Sequence, residues 1–230
     1  MDSLVKEMEK ENADQKVVEE STKLLKQLVS VPDYKHSIAA KTKQLSEQLL
    51  QWCEHIKTLD NLTDVLVAAC QEETTTHVVV ENDGQGALVD ALCFLIESED
   101  TGRSQKGIMT FRNLIQHTQA IWSKSEDYSK GMADLLIKGI SNMQNTIALV
   151  RYFELSILIA AISEPAFDVI SKQAINQVLD NFFTFDALTQ MALMDFFVQF
   201  DKMPWTENST VPFLTKLFSN FRDDKDVYGL

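Results

Sequence analysis

The sequence predicts an all-α chain built as a stack of repeated helical pairs, and three observations carry that reading. Turn formers are scarce, with only 7 Gly and 4 Pro in 230 residues, whereas a sheet-rich fold of this length needs many more tight turns. One segment, "LVRYFELSILIAAIS" (149–163), is apolar on nearly every side, with only Arg151 and Glu154 ionisable. It is too short to cross a bilayer, which takes about 20 largely apolar residues, so other helices must cover most of its circumference. The third observation is an internal repeat in the second half of the chain.

From the N-terminus, residues 2–30 read as one helix, with Met8, Val18, Leu25 and Val29 on a 3-4 spacing. Glu11, Gln15 and Thr22 dilute the stripe, which is too sparse for a strong coiled coil. Pro32 breaks the pattern. A second helix carries Leu45, Leu49, Trp52 and Ile56 as its buried stripe, and "LTDVLVAAC" (62–70) follows as a short apolar helix. "ETTTHVVVENDGQG" (73–86) is β-branched and then glycine-bearing, so it reads as a loop or a single extended piece. From Ala87 onward helices are expected at 87–98, 104–120, 128–142, 146–163, 166–183, 186–201 and 209–221. Their connectors supply Ser, Asp, Gly or Pro as caps and breakers. No Pro- or Gly-rich linker cuts the chain. Residues 1–60 are expected to form N-terminal helices that serve as a cap, and 61–230 a continuous run of repeats.

The repeat emerges when "LLIKGISNM" (135–143) is shifted by 39 residues onto "AINQVLDNF" (174–182), and by 39 again onto "FLTKLFSNF" (213–221). The apolar columns are Leu136/Ile175/Leu214, Ile140/Leu179/Phe218 and Met143/Phe182/Phe221, with Asn142/Asn181/Asn220 beside them. At the same shift the following helix pairs Ala148 with Ala187, Leu149 with Leu188, Ile157 with Phe196 and Leu158 with Phe197. A looser copy lies upstream at a shift of 44, matching Asp90/Asp134, Leu92/Leu136, Ile96/Ile140 and Leu114/Leu158. Two-helix units of about 40–47 residues are the signature of armadillo and HEAT solenoids, in which each pair buries its apolar face on the next. The fold class expected is therefore all-α, an armadillo/HEAT-like α-α superhelix. "NTIALVR" (145–151) fits the HEAT inter-helix pattern of a capping Asn and a basic residue six positions on, while the next repeat offers Thr184 and Gln190. The copy at 209–221 has no following helix, which leaves Leu214, Leu217, Phe218 and Phe221 without a stacking partner.

Charge and chemistry narrow the function. The net charge is −13, from 34 acids and 21 bases; residues 1–60 hold 11 acids and 9 bases, leaving −11 on residues 61–230. A field of that sign repels phosphate backbones and anionic lipid, and suits a basic protein partner. Cys53, Cys70 and Cys93 make no CxxC pair, and "MDSLVKEMEK" has no apolar signal region, so a cytoplasmic or nuclear protein is expected. His36, His55, His77 and His117 are scattered, and "NDGQGAL" lacks both the GxGxxG spacing and the P-loop Lys-Ser/Thr. No catalytic motif is present, so neither metal, cofactor nor enzymatic activity is expected.

"IALVRYFELSILIAAIS" (147–163), followed after one helix by "FDALTQMALMDFF" (185–197), resembles the 26S proteasome non-ATPase regulatory subunit 5 family of armadillo-like assembly chaperones. Val150, Arg151, Tyr152, Glu154 and Leu155, then Ala187, Leu188 and Met194, carry the likeness. "MADLLIKGISNMQN" (132–145) and "VPFLTKLFSNFRDDKDVYGL" (211–230) fall where that family has helix and inter-repeat loop. The resemblance runs from about residue 86 to the end; family members are longer, so it implies a portion or a shortened relative. It also implies a non-enzymatic chaperone that binds the C-terminal domain of an ATPase subunit of the proteasome base and delays docking onto the proteolytic core. If second helices line the concave face, Arg151, Glu154, Gln190 and Asp195 are its polar positions and the candidate partner-binding residues. A generic armadillo/HEAT adaptor for a basic protein is the alternative, and an all-helical enzyme a more distant one.

Overall fold

The computed structural model describes residues 2–10, 13–82, 86–118, 126–141, 144–205 and 215, and every regular element among them is helical. The chain divides into two compact units, residues 1–118 and 119–230. The charge boundary near residue 60 falls inside a helix of the first unit.

The first unit contains α1 (Asp2–Met8), α2 (Gln15–Leu28), α3 (Pro32–Ala39), α4 (Thr42–Gln51), α5 (Ile56–Ala69), α6 (Glu73–Asn82), α7 (Ala87–Ile96) and α8 (Thr101–His117). Neighbours in sequence pair as α1 with α2, α4 with α5 and α7 with α8. Each helix also packs on the one three places later: α1 on α4 and α4 on α7, α2 on α5 and α5 on α8, α3 on α6. The packing is thus layered, and the long helices hold it in register. Shifts of 41 and then 45 residues align Val18/Leu59/Ser104, Thr22/Thr63/Ile108, Leu25/Leu66/Phe111 and Val29/Cys70/Ile115, none more than 3% exposed. Polar pairs run along the edge of this column. Glu19 of α2 meets Lys57 of α5 at 3.1 Å, and Asn61 Nδ2 donates to Thr22 Oγ1 at 3.3 Å. Asp64 lies between Lys26 of α2 and Lys106 of α8, 2.6 Å from each, and Arg103 Nε donates to Asp60 at 2.8 Å.

Three expectations fail in this unit. Residues 2–30 are two helices, not one, because Asp14 caps α2 by accepting from the Lys16 and Val17 amides. Pro32 opens α3 at its first turn, where its missing N–H costs nothing. The helix carrying Leu45 and Leu49 ends at Gln51, so Trp52 is only half-buried, and Ile56, at the start of α5, is exposed. Most of the segment read as a loop or a single extended piece, 73–86, is helix α6 instead. Thr75 and Thr76 both donate their hydroxyls to Glu72 O, at 3.1 and 2.7 Å, and are fully buried where α6 packs on α3 and α8. Tertiary burial overrides β propensity there. Gly86 then supplies the positive φ of 74° at the N-cap of α7.

The second unit contains α9 (Glu126–Ile140), α10 (Thr146–Ile162), α11 (Glu164–Ile170), a π-helical turn (Ser171–Ile175), α12 (Asn176–Asp180), a 3₁₀ turn (Phe182–Thr184) and α13 (Ala187–Asp201). The apolar α10 is covered by α9, α11 and α13. Its Phe153 stacks on Phe196 at 6.0 Å and meets Phe197 edge-on at 6.1 Å. Its Tyr152 ring lies against Gly139 of α9, where a Cβ would overlap the ring. Ser163 alone makes the corner into α11, accepting from the Ala166 amide at 3.3 Å, with Pro165 in the first turn. Leu136, Ile140, Ile175, Leu179 and Phe182 are all buried, as the 39-residue columns require. Met143, Asn142, Asn220 and the copy at 209–221, apart from Thr215, lie outside the described residues.

Two outcomes test this packing. Gly139→Ala should lower stability by about 1–3 kcal/mol through overpacking on Tyr152. Gly131→Ala, on the same helix but facing open space, should raise it by up to about 1 kcal/mol. Urea unfolding of the two variants must therefore move in opposite directions. Asp64 gives the second. Burial opposes its charge, yet hydrogen bonds from Lys106 and Lys26 outweigh that and hold its carboxyl below the usual range. A depressed carboxylate stabilises the fold above its unfolded value of about 3.9, and the contribution is lost as pH falls toward the folded value. Asp64→Asn should cost about 1 kcal/mol at neutral pH and make acid destabilisation shallower, checked by urea midpoints at the two pH extremes.

Candidate functional site

The four candidate residues sit on α10 and α13, and their placement follows from how each helix starts. Asn145 caps α10 by accepting from the Ala148 amide at 3.0 Å. Asp186 caps α13 by accepting from the Leu188 and Thr189 amides at 3.0 Å and from the Thr189 hydroxyl at 2.6 Å. These bonds, the Thr189 hydroxyl first, hold the Asp186 carboxyl below the usual carboxylate range. The caps are 41 residues apart, not 39, because the 3₁₀ turn Phe182–Thr184 lengthens the connector before α13.

This overturns the second-helix register read from the sequence. At a shift of 41, Ala148/Thr189, Tyr152/Leu193, Ser156/Phe197 and Ile159/Phe200 are buried in both helices. At the sequence shift of 39, fully buried Leu149 would pair with Leu188, which is 78% exposed. The cap of the second repeat is Asp186 rather than Thr184, and the place six residues on is Ala192, not a base.

Arg151 and Glu154 are half-buried on α10, and both have interaction partners. Asp195 is exposed and occupies on α13 the place of Glu154. Gln190 stands in the place of Leu149 instead of Arg151, and its Nε2 donates to Phe185 O at 2.8 Å, tying the connector to α13. The accessible stripe is therefore Ile147, Val150, Arg151, Glu154 and Leu158 on α10, and Leu188, Met191, Asp195 and Gln199 on α13. Sequence reasoning missed its apolar members. Ile147 is 62%, Leu188 78% and Met191 67% exposed, whereas the 39-residue shift pairs Leu188 with Leu149 of the covered apolar segment. The signal that could have found them is the cap, since a helix counted from Asp186 rather than Thr184 turns Leu188 outward.

Trp205 donates its indole N–H to Ala160 O at 2.8 Å, fastening the chain after α13 to the end of α10. None of Cys53, Cys70 and Cys93 is in a disulfide. Among the described residues no group of three His, Cys, Asp or Glu is placed to hold a metal ion. No helix there is long and apolar enough to cross a membrane. An apolar stripe carrying two carboxylates and one arginine has the chemistry of a protein-docking surface. Comparison with protein-family models and with curated proteins gives no match to the chain.

The division between fastening and accessible residues is measurable. Gln190→Ala should cost about 1 kcal/mol in chemical denaturation by stranding the Phe185 carbonyl. Asp195→Ala should stay within about 0.5 kcal/mol of the unsubstituted chain. Equal losses would place Asp195 in the scaffold.

Proposed function

We propose that the chain is a non-enzymatic assembly chaperone of armadillo-like superhelical form, binding the C-terminal domain of an ATPase subunit of the 26S proteasome base. The observation that carries the reading is the segment likeness to the subunit 5 family, whose residues fall on α10 and α13. These helices share one 41-residue register of buried and accessible positions. The layered packing of the long helices in residues 1–118 supports a superhelical stack, since each layer buries the apolar face of the one before it. The surplus of −11 on residues 61–230 supports a basic partner surface.

In this reading Glu154 and Asp195 meet basic side chains of the ATPase domain, while Ile147, Leu188 and Met191 supply the apolar contact around them. The bound chaperone then occupies a surface that the ATPase needs for docking onto the proteolytic core. A cytoplasmic or nuclear location follows from that partner. The adaptor reading draws on a different observation: α1–α6 form layers of three helices, an arrangement armadillo proteins use for many partners.

Isolated C-terminal domains of the base ATPase subunits, titrated against the chain by calorimetry, provide the test. One domain should bind at micromolar Kd or better and weaken as salt rises. Glu154→Lys with Asp195→Lys should weaken it about tenfold or more while the helical melt stays in place. If none of these domains binds, the chaperone proposal fails and the adaptor reading replaces it.

A further inference from the structure

The first layer of the 1–118 unit leaves open a face that the same register buries in the later layers. At the shifts of 41 and 45 residues, Val17, Ser21, Leu24 and Leu28 of α2 correspond to Thr58, Leu62, Val65 and Ala69 of α5. On α8 they correspond to Arg103, Gly107, Thr110 and Leu114. The α5 set is at most 3% exposed, lying on the side of α5 that α2 covers. Of the α8 set, Gly107, Thr110 and Leu114 are buried, and Arg103 reaches back to Asp60 of α5. On α2, by contrast, Val17 is 44% and Leu24 41% exposed, with Ser21 buried and Leu28 half-buried between and beyond them. With Leu4 of α1 they line an open groove of about 660 Å³, edged by Asp14, Lys16 and Glu20. Tyr34 of α3, 45% exposed, corresponds to fully buried Thr75 of α6.

We infer that this groove is a docking site for an amphipathic α-helix of a partner protein, laid along α2 as α2 is laid along α5. The chain itself shows what such a helix must carry. Each covering helix presents a stripe at positions p, p+4, p+7 and p+11: Val18, Thr22, Leu25 and Val29 on α2, then Leu59, Thr63, Leu66 and Cys70 on α5. Each also places an acid at p+1, Glu19 or Asp60, which pairs with a base in the first turn of the covered helix, Lys57 or Arg103. In the groove, Lys16 occupies the place of Lys57, and it pairs with no carboxylate within salt-bridge distance among the described residues. The second polar position differs. Asp64 of α5 receives Lys26, but its counterpart on α2 is Lys23, which among the described residues pairs only with exposed Glu20, at 3.6 Å. The fitting partner helix therefore bears acids at both p+1 and p+8, opposite Lys16 and Lys23. This surface is built from α1 and α2 alone, so the inference does not rest on the proteasomal reading.

A labelled peptide with the sequence of residues 14–30 supplies the stripe and the first acid, and Lys26→Glu in that peptide supplies the second. Fluorescence anisotropy with the full chain should show micromolar binding of the substituted peptide. The unsubstituted peptide should bind roughly fivefold more weakly, the scale of an exposed ion pair. Val17→Glu with Leu24→Glu in the chain should abolish binding without lowering the melting temperature, because both sites are exposed. Lys16→Glu should weaken binding, and Glu19→Lys in the peptide should restore it. The order of the two peptides excludes strand exchange: a peptide displacing α2 from α5 would face Asp64, and Lys26→Glu would then weaken it. Tighter binding of the unsubstituted peptide overturns the proposal, as does binding that survives the double glutamate variant, or none at all. A chain that sediments as a dimer and becomes monomeric on Val17→Glu would instead assign the face to a second copy, and would equally overturn it.

Discussion

A helix with apolar residues on two sides must find cover on both, and the long helices of this protein meet that constraint by lying against copies of themselves. α5 is the plain case. Thr58, Leu62, Val65 and Ala69 lie under α2, while Leu59, Thr63, Leu66 and Cys70 complete the column continued by α8. A repeat near 40 residues follows from the constraint, because a helix of 14 to 17 residues needs its short partner and two turns before the chain returns beside it. Several buried hydroxyls of the long helices bond within their own helix. Thr63 donates to Leu59 O at 2.7 Å, Thr110 to Lys106 O at 2.7 Å and Ser156 to Tyr152 O at 2.7 Å. Each such bond satisfies the hydroxyl without a partner on the next layer, which keeps the column tolerant of Thr and Ser.

The charged pairs between layers do a different task from the column. Lys26, Asp64 and Lys106 each retain a quarter or more of their exposure, so each pair is worth at most about 1 kcal/mol. A one-residue slip of α5 against α2 would nevertheless strand Asp64 and move Leu59 off its column at once. Apolar burial thus supplies the stability and the ion pairs reinforce the register. Helix approach sets a third demand. Gly107 lies so close to the backbone of Ile96 that a Cβ would be 3.0 Å from the Ile96 amide nitrogen, and Gly139 admits the Tyr152 ring. Both glycines are helical positions where propensity favours alanine, and the contact outweighs it.

How much of this was legible depended on what occupies the columns. Helices between 87 and 201 could be placed within a few residues, because Leu92, Leu136, Ile140 and Leu179 keep the columns apolar and Asp100, Asn145 and Asp186 mark the starts. Before residue 87 the same architecture was invisible. Its columns read Thr22/Thr63, Val29/Cys70 and Tyr34/Thr75, and a hydroxyl satisfied by its own helix leaves no apolar signal for a self-comparison. The threonine run before His77 misled for the same reason, with β-branching read as a loop or a single extended piece. In the second unit the 39-residue shift held for first helices and failed for second ones by the two residues that the 3₁₀ turn adds. Of the candidate residues, Asp195 takes the place of Glu154 at the shift of 41, whereas Gln190 is a fastening for Phe185. A two-residue error turns a helix by about 200°, enough to exchange Leu188 from core to surface.

That exchange separates two kinds of exposed apolar residue that a surface map would treat alike. Val17 and Leu24 are exposed where their counterparts on α5 are buried, so their exposure is a property of the first layer, which no helix among the described residues covers. Ile147 and Leu188 are exposed at one and the same register position, on a helix covered from three sides and on its neighbour. An edge effect cannot produce exposure that recurs from one repeat to the next. The α10–α13 stripe is consequently a property of the register those two helices share. The α2 groove is closed by the first helix that matches it. The two sets therefore differ in origin: one belongs to the end of a layered column, the other to a register position that two packed helices have in common.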